Sequence, residues 1–163
     1  MLERIFPKAF DNTYRGHWLG IALFAPIVFV KAAQGVVSML TPASTMAGAD
    51  GIPLDRFNPI AADTAVEMFA LLGMYLLVVP VIGAVALLRY RAMIPFLFLM
   101  LLAVQLGART LNYLHPIVRV SAGGGQPIGL YVNLAVLALT VVGFVLSVSA
   151  SSARASQVEG TRP

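Results

Sequence analysis

The chain has 163 residues, 59% hydrophobic and 11% charged, with a net charge of +4 and no cysteine. Its mean hydropathy of +0.86 is far above that of a soluble domain, and the apolar residues fall into blocks of about 20 or more, the length that crosses a bilayer. The missing cysteine excludes disulfides, thiolate metal sites, iron–sulfur ligation and dithiol redox chemistry within the chain. The basic residues gather at the ends of apolar blocks, where they orient a membrane protein rather than bind nucleic acid.

Residues 1–16 form a polar segment of mixed charge, in which the spacing of Phe6 and Phe10 suits either a short interfacial helix or an ordinary flanking segment. The transmembrane domain is read over 17–148, with spans at 18–40, 61–88, 92–114 and 128–148. Trp18 is an interface anchor, and Pro26 is a candidate kink in the first span. Ala47-Gly48-Ala49 resembles a cleavage site, but the apolar run before it is too long for a signal peptide and contains Lys31, so the span is read as retained. Thr41 to Ile60 reads as a loop punctuated by Pro42, Pro53 and Pro59. Arg89-Tyr90-Arg91 makes a short basic turn, and Ile117 to Pro127 is a second loop with the run Gly123-Gly124-Gly125. The tail 149–163, rich in Ser and Ala, is expected to be disordered.

Basic residues set the orientation. Arg4, Lys8, Arg15, Arg89, Arg91, Arg154 and Arg162 lie on one side, Arg56 and Arg119 on the other. This bias predicts an all-α, antiparallel four-helix membrane bundle with both termini cytoplasmic.

Polar side chains interrupt the outer halves of all four spans. Lys31 lies about 14 Å below the outer end of the first helix, with Gln34 one turn higher on the same face. Asp63 and Glu67 share a face of the second helix, with Glu67 about 9 Å deep. Gln105, Arg109 and Asn112 form a stripe on the third helix, and Asn133 lies on the fourth, with Arg109 and Asn133 each about 8 Å deep. A charge facing lipid costs about 2.5–3.5 kcal/mol, so these groups are expected to turn inward and pair, Glu67 with Arg109 and Lys31 with Glu67 or Asp63. Interhelical polar contacts in membranes contribute only about 0.6 kcal/mol. A ligand pocket of Lys31, Gln34, Asp63, Glu67, Gln105, Arg109, Asn112 and Asn133 is therefore preferred to structural glue. No metal-ligand set is expected. His17 and His115 fall at opposite membrane faces, so they cannot jointly ligate one haem, and each is read first as a solvated interface residue.

The segments FVKAAQG, ADGIP, AVEMFALLG and ALLRYRAMIP resemble the DoxX-like membrane proteins over roughly residues 18–100. The resemblance implies a four-helix bundle in a bacterial inner membrane, with Lys31 and Glu67 at matching motif positions. Members of that family include small subunits of quinone-linked oxidoreductases and components of membrane oxidative-stress complexes. The expected function is binding of a small polar or quinone-type ligand in the outer-half pocket, as a subunit of a membrane redox complex. The chain itself has no cofactor motif, so a quinone or lipid is the expected ligand, and a membrane protein partner or a homo-oligomer is expected beside it. The competing reading is a non-catalytic accessory subunit packed laterally on a larger complex.

Overall fold

The computed structural model describes residues 2–120 and 125–149. Four helices among them are long and apolar enough to cross a membrane, as befits a multi-pass membrane protein. In chain order the elements are α1 (Leu2–Ile5), α2 (Trp18–Leu40), α3 (Pro42–Gly48), α4 (Pro59–Leu76), α5 (Val78–Arg89), α6 (Ile94–Leu114) and α7 (Ile128–Val148). Leu54–Arg56 and Arg91–Met93 form single 3-10 turns.

Local chemistry explains the boundaries. His17 caps α2, its Nδ1 accepting from the Leu19 N–H at 3.3 Å. The helix runs on through Pro26 without a break. Asn58 caps α4, its side chain accepting from the Ala61 N–H at 2.8 Å, and Pro59 takes the first helical position. The second apolar block divides at Leu77. Pro80 has no N–H for the carbonyl of Leu76 and its ring crowds that oxygen, which separates α4 from α5.

α2 packs on α4, α5 and α7; α6 packs on α7 and α5. His17 meets Leu146 and Lys31 meets Asn133, so α2 and α7 run in opposite senses. At one end of the molecule, here the terminal end, Arg4 Nη1 donates to the Val148 carbonyl at 2.8 Å and the Ala92 N–H donates to Asp11 at 3.2 Å. A cation is thereby set on the last turn of α7. The opposite, loop end holds α3 and the segment after α6. The buried core of Phe24, Ile27, Val28, Ala86, Ile94, Leu97, Phe98, Leu101 and Val136 fills the terminal half. Phe24 and Phe98 meet edge to face at 4.9 Å. Large apolar side chains such as Phe29 (74%) and Leu88 (79%) face outward, as lipid-facing residues do.

Several expectations change here. The helical part of the N-terminal segment is only Leu2–Ile5, and Phe6 lies beyond it, stacked on Phe96 at 5.7 Å, while Phe10 is exposed. The expected loop at 41–60 contains α3, which Thr41-Pro42 opens in the manner of a proline at a first helical position. The glycine run lies, through residue 124, outside the described residues, as does the tail from residue 150 on.

Candidate functional site

Glycine positions fix the helix register on which the site depends. A Cβ at Gly73 would lie 2.5 Å from the Met39 nitrogen and 2.9 Å from the Gly35 carbonyl oxygen, so α2 and α4 touch backbone to backbone there. Gly73 is thus level with about Val37. Lys31 lies six residues from that level toward the terminal end, and Glu67 six residues toward the loop end, about 9 Å each way. Side chains about 18 Å apart along the axis cannot pair.

The expected ion-pair network is therefore absent. Among the described residues the single ion pair is Lys8 with Glu3, exposed at 3.6 Å. Glu67 and Asp63 are exposed, on a part of α4 that packs beside α3. The cause is helix length. Pro59–Arg89 spans 31 residues, about 46 Å of helix against a hydrocarbon core of about 30 Å. Its first turns project past the loop end of α2. Counting depth from the start of the apolar block placed Glu67 too deep.

Lys31 has other partners. Its Nζ donates to Gln34 Oε1 at 2.9 Å and to Asn133 Oδ1 at 3.3 Å, and Gln34 Nε2 reaches the same Asn133 oxygen at 3.5 Å. Two neutral amides thus answer the ammonium, one on its own helix and one on α7. Desolvation is offset in part by these charge-assisted bonds, but the positive charge is not neutralised.

Lys31 lies in the middle of the inward stripe of α2. Phe24, Ile27, Val28, Gly35 and Ser38 share that stripe at helical spacing and are buried; Lys31 is only half-buried. Asn133 repeats the pattern on α7, half-buried beyond buried Val136, Thr140, Gly143 and Ser147. α6 loses burial in the same direction: Phe98 and Leu101 are buried and Gln105 and Arg109 half-buried. From Leu106 to Val120 every residue except Arg109 is exposed. α4 and α6 form no extensive packing interface. Packing is closest around the aromatic core of the terminal half, and burial falls toward the loop end. The weak α4–α6 packing and the falling burial point to a groove between these helices, with half-buried Lys31, Gln34 and Asn133 at its floor.

Of the other predicted residues, Gln105 lies nearest to this floor in the sequence pattern but bonds elsewhere. Its Nε2 donates to Thr140 Oγ1 at 3.1 Å, and that hydroxyl donates to the Val136 carbonyl at 2.6 Å. Its Oε1 is buried with no partner among the described residues. Arg109 continues the Gln105 face one turn on and makes no hydrogen bond or ion pair among the described residues. Asn112 is exposed and accepts from Arg119 Nη2 at 3.4 Å, away from the floor.

A clasp over the loop end was not legible in the sequence. The Val120 N–H donates to the Gly51 carbonyl at 2.7 Å and the Gly129 N–H to the Ala49 carbonyl at 2.9 Å. Gly51 takes φ of 67°, where L side chains are disfavoured, and Pro127 and Val120 crowd the position a Cβ would fill. Arg119 Nη1 donates to the Asp50 carbonyl at 3.3 Å. Burial pushes the Asp50 carboxyl above its ordinary value, and the Arg119 charge opposes that rise. The signals were ADGIP and an isolated Arg119, both legible as a turn and a charge but not as partners.

His17 acts as a helix cap, and His115 ends α6 and is exposed. No group of three metal-ligating side chains occurs among the described residues. Gly16 and Gly20 serve the terminal end: a Cβ at either would strike the Tyr14 hydroxyl. That hydroxyl is buried without a partner among the described residues, and burial pushes its pKa up to about 12. In comparisons with protein-family models, curated proteins and solved structures, the chain matches none.

Proposed function

We propose that this chain is a DoxX-like protein of a bacterial inner membrane, an antiparallel four-helix bundle with both termini cytoplasmic, whose groove binds a small polar or quinone-type ligand as part of a membrane redox complex. The observation that carries the reading is Lys31, turned inward, half accessible and held by neutral amides alone. An ionisable group inside a membrane span is functional by default. Here the usual structural explanation, a buried ion pair, is missing among the described residues.

The donors suit a quinone head. Lys31 Nζ has three protons and two amide acceptors, which leaves one proton for a carbonyl oxygen. A bound quinone would supply the electron-accepting chemistry. The chain's own part is to hold the ring, orient it through Lys31 and Gln34, and place a positive charge beside the oxygen that gains electron density. Glu67, level with α3, is too far along the axis to relay a proton to this floor. Electrons come from a partner protein in this reading. A non-catalytic accessory subunit is the second reading. It is favoured by the loop half of α6, exposed apart from Arg109, which a larger complex could cover.

The test is purification in mild detergent of wild type, Lys31→Met and Asn133→Leu, with extraction of bound quinone and identification of co-purifying subunits. The ligand reading expects quinone on wild type and its loss, by about tenfold or more, from both variants at unchanged yield. Equal quinone in all three, or a stoichiometric partner retained by all three with no quinone, rejects it in favour of the accessory role. Because the sequence has no cysteine, single cysteines at Thr13 and Ser44 test orientation: an impermeant maleimide should label only the second in intact cells.

A further inference from the structure

Two features of the groove restrict what it can hold and how it is reached. The first is charge. Lys31 on α2 and Arg109 on α6 are half-buried cations, and no described carboxylate is paired with either. Amide oxygens satisfy the protons of Lys31 but leave its charge uncompensated, which in a medium of low dielectric an anion would relieve. The second is access. The loop end is crossed by the bonds of Gly51 with Val120 and of Ala49 with Gly129, and the Asp50 side chain lies there too, 3.1 Å from the Cβ position of Gly129. A water-soluble anion approaching from that side meets a closed backbone clasp and a carboxyl group. On the side between α4 and α6 the two helices form no extensive packing interface.

We propose that the groove takes a membrane-borne amphiphile with an anionic headgroup, which enters sideways between α4 and α6 and sets its acid group against Lys31. The tail runs out between α4 and α6 into the surrounding lipid. The proposal rests on reading the groove as a ligand site and adds a class beside the quinone: a lipid-tailed acid, preferred over its neutral ester and over a free anion. Lys31 sits about 20 Å from Trp18 at the terminal end. Only a ligand already dissolved in the bilayer reaches that depth without crossing the clasp.

The test uses the full chain in a neutral maltoside detergent, titrated with a fluorescent long-chain fatty acid at neutral pH. The methyl ester of the same acid keeps the tail without the charge, acetate keeps the head without the tail, and a decyl-substituted quinone supplies a neutral head. The acid is expected to bind about tenfold or more tighter than its ester. Lys31→Met should reduce acid binding to the ester's level and leave ester binding unchanged, while Lys31→Arg keeps the preference. Acetate should not displace the acid. Equal affinity for acid and ester in wild type overturns the proposal, a result independent of whether any variant folds. Displacement by acetate overturns the sideways route. A quinone that binds through Lys31 while the acid does not leaves the ligand site standing and removes the anionic class. Absence of binding by both removes the site itself.

Discussion

Lys31 was visible in the sequence as an anomaly, and so was the need for something to answer it. Which polar residues it meets was not visible, because that depends on the register between helices, and only the face or depth of each candidate could be read. Gln34 could be read from the helical repeat, and Asn133 from its depth. Glu67 could not be ruled out, since nothing in the residue pattern says how far α4 extends past α2. Thr140 shows a smaller version of the same limit. It reads as an unremarkable residue in an apolar run, yet it is fully buried, accepts from Gln105 and donates to Val136. Replacing it by Val keeps the shape and removes the acceptor. Gln105, whose Oε1 already lacks a partner among the described residues, then loses its remaining bond. Thr140→Val should destabilise the fold by about 1–3 kcal/mol, the range for a buried polar group left unpaired. Thr140→Ser should lie much closer to wild type. Unfolding in mixed micelles, followed by circular dichroism, compares them.

At the scale of elements, the four apolar blocks and the basic turn were legible because span length and loop charge are one-dimensional signals. The division of the second block was legible only in part. Pro80 marks the place, but whether a proline bends a helix or parts it depends on what packs beside it, and α2 passes Pro26 unbroken. Which glycines bring two helices together was not legible from spacing alone. Gly16 and Gly20 make room for Tyr14 within the chain, while the tight crossing belongs to Gly35 and Gly73. A Cβ at Gly35 would lie 2.7 Å from Leu77 Cδ2 and 3.1 Å from the Gly73 oxygen. This crossing sets the register that keeps Lys31 away from Glu67. Gly73→Leu should force α2 and α4 apart and cost about 1–3 kcal/mol. Gly107→Leu, in open space, should change stability by no more than about 0.5 kcal/mol. Thermal melts of the two variants in the same detergent separate crowding at the crossing from any general effect of added volume.

For the molecule as a whole, the two ends are tied differently. At the terminal end a segment from the N-terminus crosses the bundle and places Arg4 on the last turn of α7. At the loop end two segments 69 residues apart, at Asp50 and Arg119, meet over the first turn of α7. Such pairings depend on which loops the bundle brings together, so composition and periodicity could not supply them. The loop-end clasp should respond to pH in one direction. Burial raises the folded-state pKa of Asp50, so folding favours its protonated form. For an acid shifted upward, the unfolded chain loses its proton first as pH rises. The native state is therefore relatively best below the ordinary aspartate value of 3.8 and loses that advantage as pH rises through the raised folded value. At neutral pH the ionised carboxyl is a net burden on the clasp despite Arg119. Asp50→Asn, which mimics the protonated form, should then melt above wild type at neutral pH, and the two curves should converge in acid. Arg119→Met should act oppositely at neutral pH, because it removes the charge that holds the Asp50 pKa down and the bond to the Asp50 carbonyl. Melting temperature measured across pH for the three proteins checks the sign, and an Asp50→Asn protein less stable than wild type at neutral pH would show that the carboxylate stabilises the clasp.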